Sequence, residues 1–255
     1  MSSGSAVDSP PFLWALLIRP GMSLQVRRRL GVADVMTLLN ATLGVVAMVV
    51  AVTVGPTAAA RLILLAAITD ALDGIIARSQ GSTEVGPLLD SVADVVSFGT
   101  APALFVWAAT RDAVSEAIPA SVPFAGTVDI LVVSAVPAVF VVFSLVRTAL
   151  YTVYVGEDEN RPGIQNTLGA SILVAGYLAG VTMPAVLLVG GVVLSVMMVA
   201  PVPYPKLRAR DAGLMGLVQA GAILTPTLFQ RLFPRTLLLA AVAYMTLAPR
   251  YYWGD

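Results

Sequence analysis

The stretch from residue 70 to residue 94 reads DALDGIIARSQGSTEVGPLLDSVAD and decides how this chain folds. It joins the end of one apolar run to the start of the next. Asp70 and Asp73 lie near the end of the first run, and Asp90 and Asp94 lie near the start of the second. A charge within a membrane helix is costly, so it usually faces a cavity and has a partner there. The stretch therefore predicts two neighbouring membrane helices whose acidic faces can meet.

The composition of the whole chain is that of a membrane protein. Hydrophobic residues make up 58% of the sequence and charged residues only 12%, about half of the charged fraction usual in soluble domains. The net charge is zero, which gives no argument for a nucleic-acid partner. The short apolar run 12–18 has no basic segment before it and is not read as a secretory signal. It is either an interfacial segment or a disordered tail.

Apolar runs of about 20 residues, the length that crosses a bilayer, recur from about residue 33 onward. Turn residues and charges separate them. We therefore predict an all-α, polytopic integral membrane bundle of about eight transmembrane helices, with residues 1–32 as a cytoplasmic or interfacial segment and 33–255 as the transmembrane domain. The predicted spans are 33–54, 57–78, 86–108, 128–154, 163–182, 184–201, 211–229 and 235–250.

Basic residues indicate the side of the membrane on which each loop lies. If the N-terminus is cytoplasmic, eleven of the fifteen basic residues lie on or near the inside. The remaining four are Arg61, Arg111, Arg231 and Arg235. This bias predicts a multi-pass cell-membrane protein with both termini in the cytoplasm. It also places the connection between the second and third helices in the cytoplasm, where nucleotide substrates are found.

The acids of each run fall on one helical face, because successive residues of a helix turn by about 100°. The two faces contain Asp70, Asp73, Gly74 and Ala77 in one helix, and Gly86, Asp90, Asp94 and Ser97 in the other. Four clustered carboxylates repel one another unless a cation neutralises them. The chain has no His and no Cys, so an all-oxygen site for Mg²⁺, Mn²⁺ or Ca²⁺ is expected. Arg78 could bind a phosphate as a planar fork.

Two other interpretations of these acids stay open from charge placement alone. The acids could pair with Arg78 and other basic residues merely to hold the bundle together, although four acids near one arginine favour this poorly. They could also mark a cation or proton pathway, as intramembrane carboxylates do in transporters. Asp34, at the start of the first predicted helix, is expected to be solvated.

Eight residues of the opening stretch resemble the signature of the CDP-alcohol phosphatidyltransferase family, DxxDGxxAR…GxxxDxxxD. They are Asp70, Asp73, Gly74, Ala77, Arg78, Gly86, Asp90 and Asp94. Seven residues separate Arg78 from Gly86, where the family commonly has eight. The missing residue lies in the loop that carries Thr83, so the acid spacing within each helix is kept.

Further segments are similar to the phosphatidylserine synthase branch of this family. Residues 90–103, DSVADVVSFGTAPA, resemble its DSxADxxSFGxAPA segment, and residues 37–44, TLLNATLG, resemble its first-helix TLxNxxxG. Residues 203–206, PYPK, are similar to its late YPxxK segment. The match of residues 147–151, RTALY, to its RxARFN segment is partial. Acceptor identity is therefore less firmly indicated than the reaction class.

The resemblance implies a role for each matching residue on the catalytic helices, 57–78 and 86–108. It implies that Mg²⁺ or Mn²⁺ is held by Asp70, Asp73, Asp90 and Asp94. It also implies that Asp94, with Asp90 as the next candidate, accepts the proton of the attacking hydroxyl. The positions that would lie at the CDP moiety are Gly74, Ala77, Arg78, Thr83 and Asn40.

The implied reaction is transfer of a phosphatidyl-type group from a CDP-activated lipid to L-serine, with release of CMP. The lipid donor is CDP-diacylglycerol or CDP-archaeol, because the signature senses neither the linkage nor the tails. The resemblance also implies a homodimer among membrane lipids. No nucleic-acid partner is expected, because the net charge is zero. Glycerol phosphate or inositol phosphate is the alternative acceptor, which an extra basic pocket would favour. A transporter would need acids spread across the depth of the membrane, whereas these acids cluster at one end.

Overall fold

The computed structural model describes residues 30–81, 83–119, 121–122, 124–154, 161–205 and 209–251. The predicted interfacial run 12–18 and the acids 157–159 lie outside these residues. The regular secondary structure of the described part is helical except for one short ribbon. Its elements are α1 (Val32–Thr53), α2 (Pro56–Gln80), α3 (Gly86–Asp94), a π-helical segment (Val95–Thr100), α4 (Ala101–Ala117), α5 (Ala125–Tyr154), β1 (Arg161–Pro162), α6 (Asn166–Ala179), α7 (Pro184–Met198), β2 (Pro203–Tyr204), α8 (Ala209–Leu224) and α9 (Leu228–Tyr251).

Proline and glycine set several of the helix ends. Pro56 and Pro184 begin α2 and α7, because proline at the first helical position gives up no needed hydrogen bond and already has a helical φ. Gly180 ends α6 in the left-handed conformation, with φ at 108°, which a glycine adopts without steric cost. These breaks separate α6 from α7 at the place where the sequence predicted two helices.

The predicted spans correspond to helices of the structure, and the main differences lie at the ends of the third, fifth, seventh and last spans. The third is longer than predicted, since α3, the π-helical segment and α4 run without a break from Gly86 to Ala117. The fifth begins later, at Asn166, because residues 161–162 pair with residues 203–204 as an antiparallel ribbon. The seventh ends at Leu224, and the last begins at Leu228 with three left-handed residues, 229–231, before it becomes regular.

Four helices of the described part are long and apolar enough to cross a membrane: Val32–Thr53, Gly86–Ala117, Gly126–Tyr154 and Leu228–Tyr251. Helix α2 has 25 residues but carries Arg61, Asp70, Asp73 and Arg78. Helices α6 and α7 are apolar but have only 14 and 15 residues, fewer than the roughly 20 that span the hydrocarbon. The protein is thus an all-α, multi-pass membrane protein, and length and composition alone do not support all eight predicted spans.

The distribution of apolar residues fits a bundle surrounded by lipid. Aromatic and aliphatic side chains such as Phe98, Phe105 and Phe140 are fully buried, and small alanines line the buried face of α2. Small residues let membrane helices approach closely. Large apolar side chains on the outer faces of α1 and α5 stay exposed. An exposed apolar surface of that extent is unusual in a soluble monomer and is suited to lipid tails.

Helix α1 packs along α2, and α2 also packs against α4, α6 and α8. Helix α5 lies against α4, α7 and the π-helical segment. The ribbon contacts α9, where the Tyr204 hydroxyl donates a hydrogen bond to the Met245 carbonyl at 2.9 Å. Lys206, which completes the segment similar to YPxxK, lies outside the described residues. This arrangement puts α1, α5 and α6 around the acid-bearing ends of α2 and α3.

Candidate active site

Three of the four predicted acids lie together where α2 ends and α3 begins. Asp70 lies in α2, and Asp90 and Asp94 lie one turn apart in α3. Each offers one carboxylate oxygen, and these oxygens all lie within 4.8 Å of one another. Asp70 and Asp94 are half-buried, whereas Asp90 is exposed. The two acidic faces therefore meet, as the spacing predicted. We refer to these three residues as the acid cluster.

The acid cluster fits a hard divalent cation. Three carboxylates at this separation repel one another, and a cation between them removes the repulsion. Oxygen atoms are the ligands that Mg²⁺ and Mn²⁺ take in proteins. Within the described part of the chain, Asp94 Oδ1 is buried and has no hydrogen-bond partner. Leaving such an atom unsatisfied costs free energy, and a bound cation would satisfy it.

The fourth acid, Asp73, lies beside the acid cluster and is held by α1. Its side chain is buried, with 6% exposed. Asp73 Oδ2 accepts a hydrogen bond from the Thr37 hydroxyl at 2.9 Å. Asp73 is not among the three acids whose oxygens lie within 4.8 Å. Thr37 belongs to the TLLNATLG segment, so this segment of α1 contributes directly to the position of an acid on α2.

Asp34 fastens the loop between α2 and α3 to the start of α1. Its Oδ2 accepts hydrogen bonds from the Gly31 amide at 2.7 Å and from the Thr83 hydroxyl at 2.9 Å. Thr83 in turn accepts from the Gly86 amide at 3.0 Å. The prediction that Asp34 is solvated was wrong, since only 2% of it is exposed. The loop that is one residue short is thus anchored by a side chain 49 positions away.

The residues predicted at the nucleotide lie on α1, on α2 and in the loop between α2 and α3. Gly74 and Ala77 are half-buried and Arg78 is exposed on α2. The Arg78 guanidinium lies back over Gly74, where a β-carbon would be 3.4 Å from Nη1. On α1, Asn40 is fully buried. Both polar atoms of its side chain lack a hydrogen-bond partner within the described residues, which leaves the amide able to bind a ligand.

Helix α1 and the π-helical segment touch at Gly44. A β-carbon there would lie 2.6 Å from Ser97 Oγ and 2.8 Å from its Cα, so only glycine fits without a shift. The Ser97 hydroxyl donates to the Asn40 carbonyl at 2.9 Å. π-helical turns inside α-helices are frequent at functional sites. This one follows Asp94 directly, and its close contact with α1 fixes where that acid lies.

A polar stripe on α5 was found only in part by sequence reasoning, which noted residues 147–151 as a partial match to RxARFN but did not place them at the acids. Its members recur at spacings of three and four residues in the apolar second half of the helix, which is the signal that could have found the whole stripe. We define the stripe as Ser144, Arg147, Thr148, Tyr151 and Thr152.

The stripe faces the helices that carry the acids. Thr152 Oγ1 lies 2.9 Å from the hydroxyl of Ser91, the neighbour of Asp90. Arg147 is buried, with 7% exposed, and is a charged neighbour of Asp94. From α6, the Thr167 hydroxyl donates to Asp70 Oδ2 at 3.4 Å. The acid cluster, the stripe and the start of α6 therefore form one continuous polar region.

Comparisons with known proteins give relatives of one kind. The chain is 28% identical over 182 residues to an archaetidylserine synthase of Methanothermobacter thermautotrophicus, which covers 70% of this chain and 71% of that protein. It is 37% identical over 83 residues to a CDP-diacylglycerol–serine O-phosphatidyltransferase of Methanocaldococcus jannaschii, 32% of this chain and 38% of that one. A Mycobacterium tuberculosis protein of the same name is 39% identical over 90 residues, which are 35% of this chain and 30% of that one.

A family model described as CDP-alcohol phosphatidyltransferase matches residues 30–205. That range is more than half of the 255 residues and contains the acid cluster, Asp73, the predicted nucleotide positions and the stripe on α5. Members of this phosphotransferase family generally use divalent metals, in agreement with the oxygen donors that meet here. This chain belongs to the CDP-alcohol phosphatidyltransferase family.

Proposed function

We propose that this protein transfers a phosphatidyl-type group from a CDP-activated lipid to L-serine and releases CMP. The acid cluster carries the proposal, because Asp70, Asp90 and Asp94 place their oxygens together at the positions of the family signature. The names of the relatives support serine as the acceptor. The proposed lipid donor is either CDP-diacylglycerol or CDP-archaeol.

Asp70, Asp73, Asp90 and Asp94 would hold the metal ion, for which we propose Mg²⁺ or Mn²⁺. When bound, this ion would neutralise charge on the pyrophosphate and on the departing CMP. The clustering of the carboxylates supports this role, and it argues against a transporter, whose acids would be spread over the depth of the membrane.

Asp94 is proposed as the general base. A bond forms between the serine hydroxyl oxygen and the lipid phosphorus, while the bond from that phosphorus to the CMP oxygen breaks. The hydroxyl proton passes to Asp94, since serine is a poor nucleophile until it loses that proton. Asp94 lies one turn beyond Asp90 along α3, farther from the loop between α2 and α3, and this position suits contact with an acceptor hydroxyl. Asp90, one turn away and exposed, is the next candidate.

The CDP moiety is proposed to lie between α1 and the end of α2. Gly74 and Ala77 present little side chain, which would let the nucleotide approach the helix. The exposed Arg78 would bind a phosphate. The buried side-chain amide of Asn40 would form a hydrogen bond with a polar group of the nucleotide. The Thr83 hydroxyl is already hydrogen-bonded to Asp34 and Gly86. Thr83 would therefore hold the loop between α2 and α3 in place beside the nucleotide.

For the membrane placement we propose eight spans, with both termini and the active site on the cytoplasmic side. Helix α6 would cross inside the bundle, since ten of its 14 residues are buried. Helix α7, with five of its 15 residues buried, would cross at the outside of the bundle. Residues 33–255 would form the transferase domain, including the part after residue 205 that the family model does not match. Residues 1–32 would be a cytoplasmic segment. We also propose that the protein forms a homodimer, on the basis of the family resemblance alone.

The proposal is tested by purified protein supplied with a CDP-lipid and one acceptor at a time. We expect CMP release with L-serine and not with glycerol 3-phosphate or inositol phosphate. Lipid product should be formed in equal amount to CMP. Product with either phosphorylated acceptor but none with L-serine would refute serine as the acceptor while leaving the reaction class intact.

A further inference from the structure

Asn166, the first residue of α6, has a geometry that suits the recognition of an amino group. We propose that its side-chain oxygen accepts a hydrogen bond from the ammonium group of the acceptor and thereby selects an amino-acid acceptor. This inference rests on the proposed function, which makes L-serine the acceptor. It adds the residue that distinguishes serine from acceptors without an amino group.

The side chain of Asn166 is fully buried and only half satisfied. Its Nδ2 donates a hydrogen bond to Thr148 Oγ1 at 2.8 Å. Its Oδ1 is buried and has no hydrogen-bond partner among the described residues. An amide nitrogen only donates and an amide oxygen only accepts. The bond to Thr148 therefore orients the amide and leaves an acceptor that needs a donor.

The backbone before Asn166 is fixed in place. The Gly163 amide donates to the Val202 carbonyl at 2.9 Å, and the Ile164 amide donates to the Met197 carbonyl at 3.0 Å. Ile164 is fully buried. The start of α6 is thereby held against the end of α7 and the residues before β2. Such support keeps a recognition group in position before the ligand arrives.

Two neighbours of Asn166 connect it to the polar region around the acids. Thr167, which follows it, donates to Asp70 Oδ2 at 3.4 Å. Thr148, its partner on α5, follows Arg147, which neighbours Asp94. We therefore place the acceptor among these groups, with its hydroxyl at Asp94 and the rest of the molecule between the buried guanidinium of Arg147 and Asn166 Oδ1.

The three groups of L-serine match these three side chains. The hydroxyl would meet Asp94, and the carboxylate would suit the planar fork of Arg147. The ammonium group would donate to Asn166 Oδ1. An acceptor without an amino group leaves that oxygen buried and unsatisfied, and a site built to hydrogen-bond a ligand group rejects analogues that lack it.

The test compares L-serine with 3-hydroxypropionate, in which a hydrogen atom replaces the ammonium group. The full chain is assayed for CMP release from CDP-diacylglycerol, with KM measured for L-serine and the inhibition constant measured for 3-hydroxypropionate. The variants are Asn166→Ala and Asn166→Asp. The matched control is Ser195→Ala, since Ser195 is equally buried and its hydroxyl donates within its own helix, to the Gly191 carbonyl at 2.7 Å.

We expect Asn166→Ala to raise KM for L-serine by about 10- to 100-fold, the range for a lost hydrogen bond to a charged group. Its inhibition constant for 3-hydroxypropionate and its KM for the CDP-lipid should stay near those of the wild type. Asn166→Asp should retain the preference for L-serine, because it keeps an acceptor oxygen. If Asn166→Ala does not accumulate in membranes, Thr148→Val is expected to act in the same direction, because it frees the amide.

An equal loss of affinity for L-serine and 3-hydroxypropionate would mean that Asn166 has a structural role only and would overturn the assignment. An unchanged KM for L-serine in Asn166→Ala would do the same. These outcomes presuppose serine-dependent CMP release by the wild type. Its absence would instead overturn the proposed function, and the assignment of Asn166 with it.

Discussion

Arg78 lies exposed in the last turn of α2, with its guanidinium over Gly74. We predict that Arg78→Lys raises KM for the CDP-lipid although the charge is kept, because a point charge cannot replace a planar fork that donates two hydrogen bonds to a phosphate. The measurement is CMP release as a function of CDP-lipid concentration. Arg111→Lys is the control, since Arg111 pairs with Asp112 at 3.2 Å. An unchanged KM in Arg78→Lys would remove this residue from the donor site.

Substitutions of Asp94 and Asp73 can distinguish the role of a general base from that of a metal ligand. Asn keeps the shape of Asp and one acceptor oxygen but cannot take a proton. We predict that Asp94→Asn lowers the rate by about 10²–10⁴, the usual contribution of a general base, and that added metal does not restore it. Asp73→Asn should need more metal but recover its rate at saturation. The measurement is a titration of turnover with Mg²⁺ or Mn²⁺.

Recovery of wild-type turnover by Asp94→Asn at high metal concentration would show that Asp94 is a ligand only. The base would then be sought first at Asp90, one turn away on α3. The same titration of Asp73→Asn serves as the internal reference for a ligand, because both substitutions remove one negative charge.

At the residue scale, the sequence allowed the acids to be predicted but not their supporting partners. The i, i+3 and i, i+4 spacings place the acids of each helix on one face, and the structure brings three of them together. Asp34 and Asn166 are hydrogen-bonded to Thr83 and Thr148, which lie on other segments of the chain. Local periodicity contains no information on such contacts, so Asp34 was expected in solvent.

At the scale of elements, the contact between α1 and the π-helical segment is the one most sensitive to volume. We predict that Gly44→Ala destabilises the protein by about 1–3 kcal/mol, the usual cost of overpacking, and lowers turnover by displacing Asp94. Thermal unfolding in detergent and CMP release measure the two effects. Gly216→Ala is the control, since a β-carbon there meets nothing within 4 Å. Wild-type stability and turnover in Gly44→Ala would show that the contact is not tight.

Hydropathy predicted the positions of the helices better than it predicted their ends or the change from α-helix to π-helix. Pro56, Pro184 and Gly180 mark ends that local chemistry sets. The π-helical segment has no comparable signal, because the extra residue per turn depends on packing against α1 and α5. The late start of α6 depends on pairing between residues 161–162 and 203–204. Both features arise from contacts between segments that are far apart in the chain.

At the scale of the whole molecule, the predicted orientation can be tested by labelling, because the chain contains no cysteine. Single cysteines are introduced at Glu84, in the loop between α2 and α3, and at Val54, between α1 and α2; both positions are exposed. We expect a membrane-impermeant maleimide to label Glu84→Cys only from the cytoplasmic side and Val54→Cys only from the opposite side. The reverse pattern would overturn the cytoplasmic placement of the site.

The central claim is that the acid cluster, with a divalent cation, transfers a phosphatidyl-type group to serine. Its most direct test is CMP release and serine incorporation into lipid by the purified protein, before and after removal of metal with EDTA. We predict one CMP for each serine incorporated, loss of both after EDTA, and recovery of both on addition of Mg²⁺ or Mn²⁺. Full CMP release in excess EDTA, or CMP release without serine in the lipid product, would contradict the account.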